Sequence, residues 1–193
     1  MPHLVFVDAN ILASRTLMDW LFHLRNKTPG MFTLQTSKDV ITEVCYTIRR
    51  KYPQASDSII NKRVQRIQEL MDEVLTEEFD GNLSSFTGSD INDYHVHAAA
   101  IKATSQYILT NNKSTDITTT PDDQPYSIIA ADDFLCLVAQ SAPHACEEAI
   151  NEQFLYWAKD QKLTDPKLEE HLVKAGCPKF ANIVHNSLFI IKY

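Results

Sequence analysis

Short apolar runs that break off at an acid or an amide, separated by stretches of helical periodicity, constrain what this 193-residue chain can fold into. Leu4, Val5, Phe6 and Val7 form an uninterrupted apolar run that ends at Asp8, the pattern of a strand buried on both faces. Phe32 to Leu34 alternates like a second, shorter strand. Tyr107 to Leu109 reads as a third, leading into Thr110, Asn112 and Asp116, and Tyr126 to Ile129 as a fourth. The intervening stretches are helical. Leu17, Trp20, Leu21 and Leu24 recur at helical spacing and stop before Pro29-Gly30. Ser37 is placed to cap a helix carrying Val40, Ile41, Val44 and Ile48 on one face, with Glu43 beside that face. Ile60, Val64, Ile67, Met71, Val74 and Leu75 mark a longer helix. Ser89 or Asp90 caps another through Ala98 to Ile101, and a further helix runs from Ala131 through Val138. Strands separated by helices imply βαβ units, hence an α/β fold with a mostly parallel sheet.

In such a sheet, ligands gather at the carboxyl ends of the strands. Asp8 follows the first strand, while Asn112 and Asp116 follow the third. Asp93 opens the helix aimed at the same edge, and Glu43 lies on another helix. Carboxylates that are distant in sequence but brought together at strand ends and helix starts are what an oxygen-liganded Mg²⁺ or Mn²⁺ site requires. Each acid also has a plainer role open to it. Asp8 can be a turn or cap residue, Glu43 a surface residue, and Asp93 a helix cap. His95 and His97 are two residues apart and so do not share a helix face. They are expected to pack or hydrogen-bond separately rather than chelate. Trp20 and Trp157 are expected in the core.

Net charge is −7, with 44% apolar and 22% charged residues, a balance suited to a folded core and adverse to broad attraction for nucleic acid. A bound cation would offset the acid charge locally. Arg49, Arg50 and Lys51, with Lys62, Arg63 and Arg66, form basic clusters open to two readings: a solvated helix face, or phosphate contact. The four cysteines are widely spaced with no CxxC, which speaks against zinc and for a reducing compartment. The N-terminal residues lack a secretory pattern and no run approaches a membrane span, so a cytoplasmic protein is expected.

Four segments in order, Val7-Asp8-Ala9-Asn10-Ile11-Leu12, Ile41-Thr42-Glu43-Val44, Asp93-Tyr94-His95-Val96-His97-Ala98-Ala99-Ala100 and Leu109-Thr110-Asn111-Asn112, resemble the PIN domain over about residues 3–140. The third segment is similar to the VapC-type toxins of bacterial toxin–antitoxin pairs, and Glu169 to Phe180 resembles the C-terminal appendage of some of them. The resemblance implies a PIN-like three-layer α/β/α fold in residues 1–140, with a small, mainly helical region in 141–193. It also implies a metal-dependent endoribonuclease cleaving RNA with a metal-activated water, leaving a 5′-phosphate and a 3′-hydroxyl. Asp8, Glu43 and Asp93 match the family's first three acids as catalytic and metal-holding residues. The fourth position carries Asn112, with Asp116 nearby as the alternative. Asn10 and Thr110 would orient these groups, and Arg49, Arg50 and Lys51 are candidates for RNA contact. A VapB-type antitoxin is the implied partner, and a homodimer is the other use for apolar helix faces.

The sequence leaves two rivals open: a degenerate PIN module that binds RNA or protein without cleavage, and a metal-dependent phosphatase. Phosphatase chemistry of the haloacid-dehalogenase kind generally wants Asp-x-Asp after the first strand, and here the third position is Asn10. In the C-terminal region, Asp165-Pro166 reads as a helix start and Gly176 as a stop. The run from Ser187 to Tyr193 reads as a short strand or an interface.

Overall fold

The computed structural model describes residues 1–76, 83–161 and 165–192. The chain is α/β, with a five-stranded, all-parallel central sheet and helices between the strands, as in three-layer α/β/α folds. Strand β1 (His3–Val7) is central, and Val5, Phe6 and Val7 are fully buried. That agrees with its unbroken apolar sequence, because a parallel strand is covered on both faces. β1 pairs on one side with β2 (Phe32–Ser37), which pairs in turn with β3 (Glu73–Leu75). On the other side lies β4 (Tyr107–Leu109), then β5 (Ser127–Ile129), giving the order β3-β2-β1-β4-β5.

The chain therefore winds outward from β1 to β3 and then returns past β1 to β4. The connections leave β1 and β4 in opposite directions, so the crevice between their carboxyl ends is the switch point of the sheet. In the register Val7 lies opposite Leu109, and the Asp8 amide donates to the Leu109 carbonyl at 3.1 Å.

The expected helix from Ile60 to Leu75 is corrected. Helix α4 (Asp57–Leu70) ends earlier, and Val74 and Leu75 lie in β3. Met71 turns extended, and Asp72 then clamps onto β2. Its amide donates to the Leu34 carbonyl at 2.9 Å, and its carboxylate accepts from the Leu34 amide at 2.8 Å. Pairing with β2 overrides the helical spacing of Val74 and Leu75. The strand alternative for the final run is also corrected, since the described part of the run belongs to helix α10 (Pro178–Lys192); Tyr193 lies outside the described residues. Phe180, Ala181, Val184 and Leu188 are buried at helical spacing, one apolar face of α10.

Two compact units emerge. Residues 1–13 and 30–130 form one, containing the sheet, α1 (Ala9–Leu12), α3 (Lys38–Lys51), α4, α5 (Tyr94–Lys102) and α6 (Ser114–Ile117). Residues 14–29 and 131–193 form the other. It holds α2 (Arg15–Lys27), α7 (Ala131–Ser141), α8 (Pro143–Gln161), α9 (Leu168–Lys174) and α10. The helical unit is larger than the expected 141–193, because it takes in α2 and α7. Within it, Trp20 meets Phe180 edge to face at 5.2 Å, and Gly176 takes a positive φ of 85° between α9 and α10.

Candidate active site at the carboxyl edge of the sheet

Asp8 is 2% exposed and leaves β1 in an extended conformation that caps α1. Its Oδ1 accepts from the Ala9 amide at 2.6 Å, so the cap role is real. Its Oδ2 accepts from the Thr110 hydroxyl at 2.6 Å and from Asn10 Nδ2 at 2.8 Å. Asn10 also accepts from the Asn111 amide at 3.0 Å, tying the end of β1 to the end of β4. These contacts hold the Asp8 carboxylate in one orientation.

Asp93 ends a short 3₁₀ turn (Ile91–Asp93) and is 8% exposed. Asp90, not Asp93, caps that turn through the Asn92 amide at 2.9 Å, and the Asp93 side chain caps nothing. Its carboxylate instead faces Asn112, whose Nδ2 donates to both oxygens at 3.3 and 3.1 Å. Asn112 Oδ1 accepts from Asn10 at 3.0 Å, so two amides bridge the two buried acids. The loop before Asp93 is held against α6. A Cβ on Gly88 would lie 2.2 Å from the Asp116 carbonyl oxygen, which only glycine avoids.

Of the two alternatives, Asn112 is the one hydrogen-bonded to Asp93 and Asn10. The Asp116 carboxylate is turned to the Ser89 hydroxyl at 3.2 Å instead. Glu43 stands on the outer part of α3 with its side chain about half exposed (49%), and its Oε2 lies 3.4 Å from His95 Nε2. His95 Nδ1 is 2.7 Å from the Asn92 carbonyl, which requires the proton on Nδ1. Nε2 is buried beside the Glu43 carboxylate and forms an ion pair with it when the ring is protonated. His97 faces the other way, toward the Tyr126 hydroxyl at 2.6 Å, among Phe86 and Tyr94. The two histidines behave separately, as their spacing predicts.

The electrostatics follow from this packing. Burial raises the Asp8 carboxyl, Thr110 and Ala9 pull it back, and repulsion from Glu43 pushes it up again. Burial and the neighbouring Asp8 charge push Asp93 up to about 6, against the opposing hydrogen bond from Asn112. Burial alone would lower His95, but Glu43, the Asn92 carbonyl and Asp8 together raise it.

Among the described residues no three His, Cys, Asp or Glu side chains form a ready-made metal ligand group. The donor chemistry nonetheless suits a hard divalent cation. Asp8 and Asp93 present oxygens, Asp8 Oδ1 carries one hydrogen bond, and the burial and repulsion that raise both acids are what a cation offsets. The His95–Glu43 contact and the bridging role of Asn112 are absent from the sequence reading. The one sequence signal for them is that His95 and Asn112 lie within segments that resemble the PIN domain.

Arg49 is structural, bonded to the Ala55 carbonyl and to Asp57, whereas Arg50 and Lys51 are exposed. In the helical unit a separate cavity of about 270 Å³ is lined by Arg15, Trp20, Trp157 and His171 among others, with Arg15 lying 4.9 Å over the Trp157 ring. None of the acids above lines it. Among the described residues no helix is long and apolar enough to cross a membrane. No protein-family model, curated protein or solved structure matches this chain.

Proposed function

We propose that this chain is a Mg²⁺- or Mn²⁺-dependent endoribonuclease of the PIN kind, the toxin of a VapBC-like pair acting in the cytoplasm. The observation that carries this reading is the amide-bridged pair Asp8 and Asp93, buried at the switch point of a parallel sheet. Asp8 and Asp93 would hold the cation, with Glu43 joining from α3 and Asn112 auxiliary to them. The cation supplies charge neutralisation and an activated water for phosphodiester hydrolysis. Thr110 and Asn10 fix the direction of the Asp8 lone pairs, and His95 restrains Glu43. Hydrolysis breaks the bond from phosphorus to the 3′-oxygen, which leaves with a proton as a 3′-hydroxyl. The test is RNA cleavage by purified chain with Mn²⁺ or Mg²⁺, against EDTA and against Asp8→Asn. Cleavage lost in both controls is expected; equal cleavage by Asp8→Asn would overturn the reading.

A second reading, a degenerate module that binds RNA or protein without cleaving, is favoured by one observation: Asn112 engages both oxygens of Asp93. RNA retention without cleavage under any divalent cation would support it. The phosphatase alternative is weakened by Asn10, which acts as a hydrogen-bond donor where that chemistry needs a second acid.

A further inference from the structure

We infer that the outer face of α3, through Tyr46 and Arg50, is the track along which single-stranded RNA approaches the acidic site. The inference rests on the nuclease reading of Asp8 and Asp93. Helix α3 buries Val40, Ile41, Val44 and Ile48, so its opposite side faces outward. Glu43, Tyr46 and Arg50 are three and four residues apart and fall within one narrow face. Glu43 at one end belongs to the candidate site through His95. Arg50 at the other end is exposed, in the basic last turn of the helix.

Tyr46 between them is 69% exposed, more than Tyr52 or Tyr156, and an aromatic ring so placed adds little to the core. It offers a flat surface for an unstacked base, while Arg50 offers a cation for a phosphate. Neighbouring Lys51 extends the positive end, with its Nζ 5.7 Å from the Tyr52 ring centroid. The sign of charge thus changes along the face, from acid where a cation is needed to base where bare phosphate passes. At roughly 1.5 Å per residue, Glu43 to Arg50 spans about 10 Å. That suits a few nucleotides of one strand and falls far short of the roughly 16 base pairs read by shape-specific duplex binders. Arg49 takes no part, because Asp57 and the Ala55 carbonyl hold it.

The test measures fluorescence anisotropy of a short labelled single-stranded RNA with full-length protein in EDTA, so that binding is read without cleavage. Tyr46→Ala should weaken binding about tenfold, the effect of losing one stacked base, and Tyr46→Trp should restore it. Arg50→Ala should lower the slope of log affinity against log salt by about one. Tyr156→Ala, an exposed tyrosine of α8, should bind as wild type. Unchanged affinity in Tyr46→Ala overturns the track. So does a wild-type protein that fails to bind the RNA but self-associates through Tyr46, which would make this face a protein interface. Tyr46-dependent binding with no metal-dependent cleavage supports the track and overturns the nuclease reading. Asp8-dependent cleavage with Tyr46-independent binding does the reverse.

Discussion

One side-chain nitrogen of Asn112 donates to both carboxylate oxygens of Asp93, at 3.3 and 3.1 Å. This contact lets a buried acid stand near Asp8 with its charge partly answered by an amide. It does not answer all of it, since Asp93 remains raised to about 6. The pair is therefore a place where charge is held at a cost to the fold, as functional sites often are.

Asp8→Asn and Asp93→Asn are each expected to abolish metal-dependent RNA cleavage while the fold persists. Asp93→Asn should also stabilise the metal-free protein at neutral pH. The folded protein binds the Asp93 proton more tightly than the unfolded chain does. Its contribution to stability is therefore present below about 4 and is lost as pH rises through about 6. Thermal unfolding from pH 4 to 8 should show wild type falling behind the variant across that window. A gain on the order of 1 kcal/mol would appear as roughly 2–4 °C. A wild-type-minus-variant difference that does not move with pH would refute the electrostatic account.

Replacing Asn112 by Asp exchanges a donor for a third negative group. The metal-free Asn112→Asp protein should lose stability, by about 1–2 kcal/mol for an unanswered carboxylate pair. Added Mn²⁺ should then raise its melting temperature more than it raises that of wild type, because the extra carboxylate adds a hard ligand. Equal Mn²⁺ shifts in the two proteins would place residue 112 outside any cation site.

The central sheet could be read from the sequence because β1 announces both of its neighbours' layers: a run such as Val5-Phe6-Val7 has nowhere to lie except between two covered faces. β3 could not be read, because Val74 and Leu75 continue the spacing of α4. They become a strand only through pairing with β2, far away in the chain, to whose Leu34 the neighbouring Asp72 is hydrogen-bonded. The site divides in the same way. Asp8 is marked by its position after a strand, and Asp93 by its position before a helix. Asn112 looks like a missing acid in sequence, and only the folded chain reveals it as the donor joining Asn10 to Asp93. Glu43 would pass for a surface residue without the His95 ring beside it.

In the helical unit, Asp132 is 8% exposed and accepts from the Lys179 and Phe180 amides at 3.0 and 2.8 Å. It satisfies two donors at the start of α10 that would otherwise be left without partners near a fully buried Phe180. Asp132→Ala should cost about 2–3 kcal/mol, more than an exposed cap, because the stranded amides are shielded from water. Urea unfolding measures this. A loss below about 0.5 kcal/mol would mean that solvent or another group replaces the carboxylate.

Expressed alone, the chain should arrest bacterial growth, and co-expression of a small adjacent VapB-type antitoxin should relieve the arrest. The chemistry that suits such a partner is an arginine. Its planar fork pairs with carboxylates two bonds at a time, and Asp8, Asp93 and the half-exposed Glu43 offer acids at one sheet edge. Binding through such pairs should weaken with salt, and Asp93→Asn should weaken it further even though that variant cannot cleave. Both effects are measurable by pull-down of the tagged chain from its host at low and high salt, followed by mass spectrometry. Recovery of no small partner, together with harmless overexpression of protein that still cleaves RNA, would leave a nuclease that acts alone.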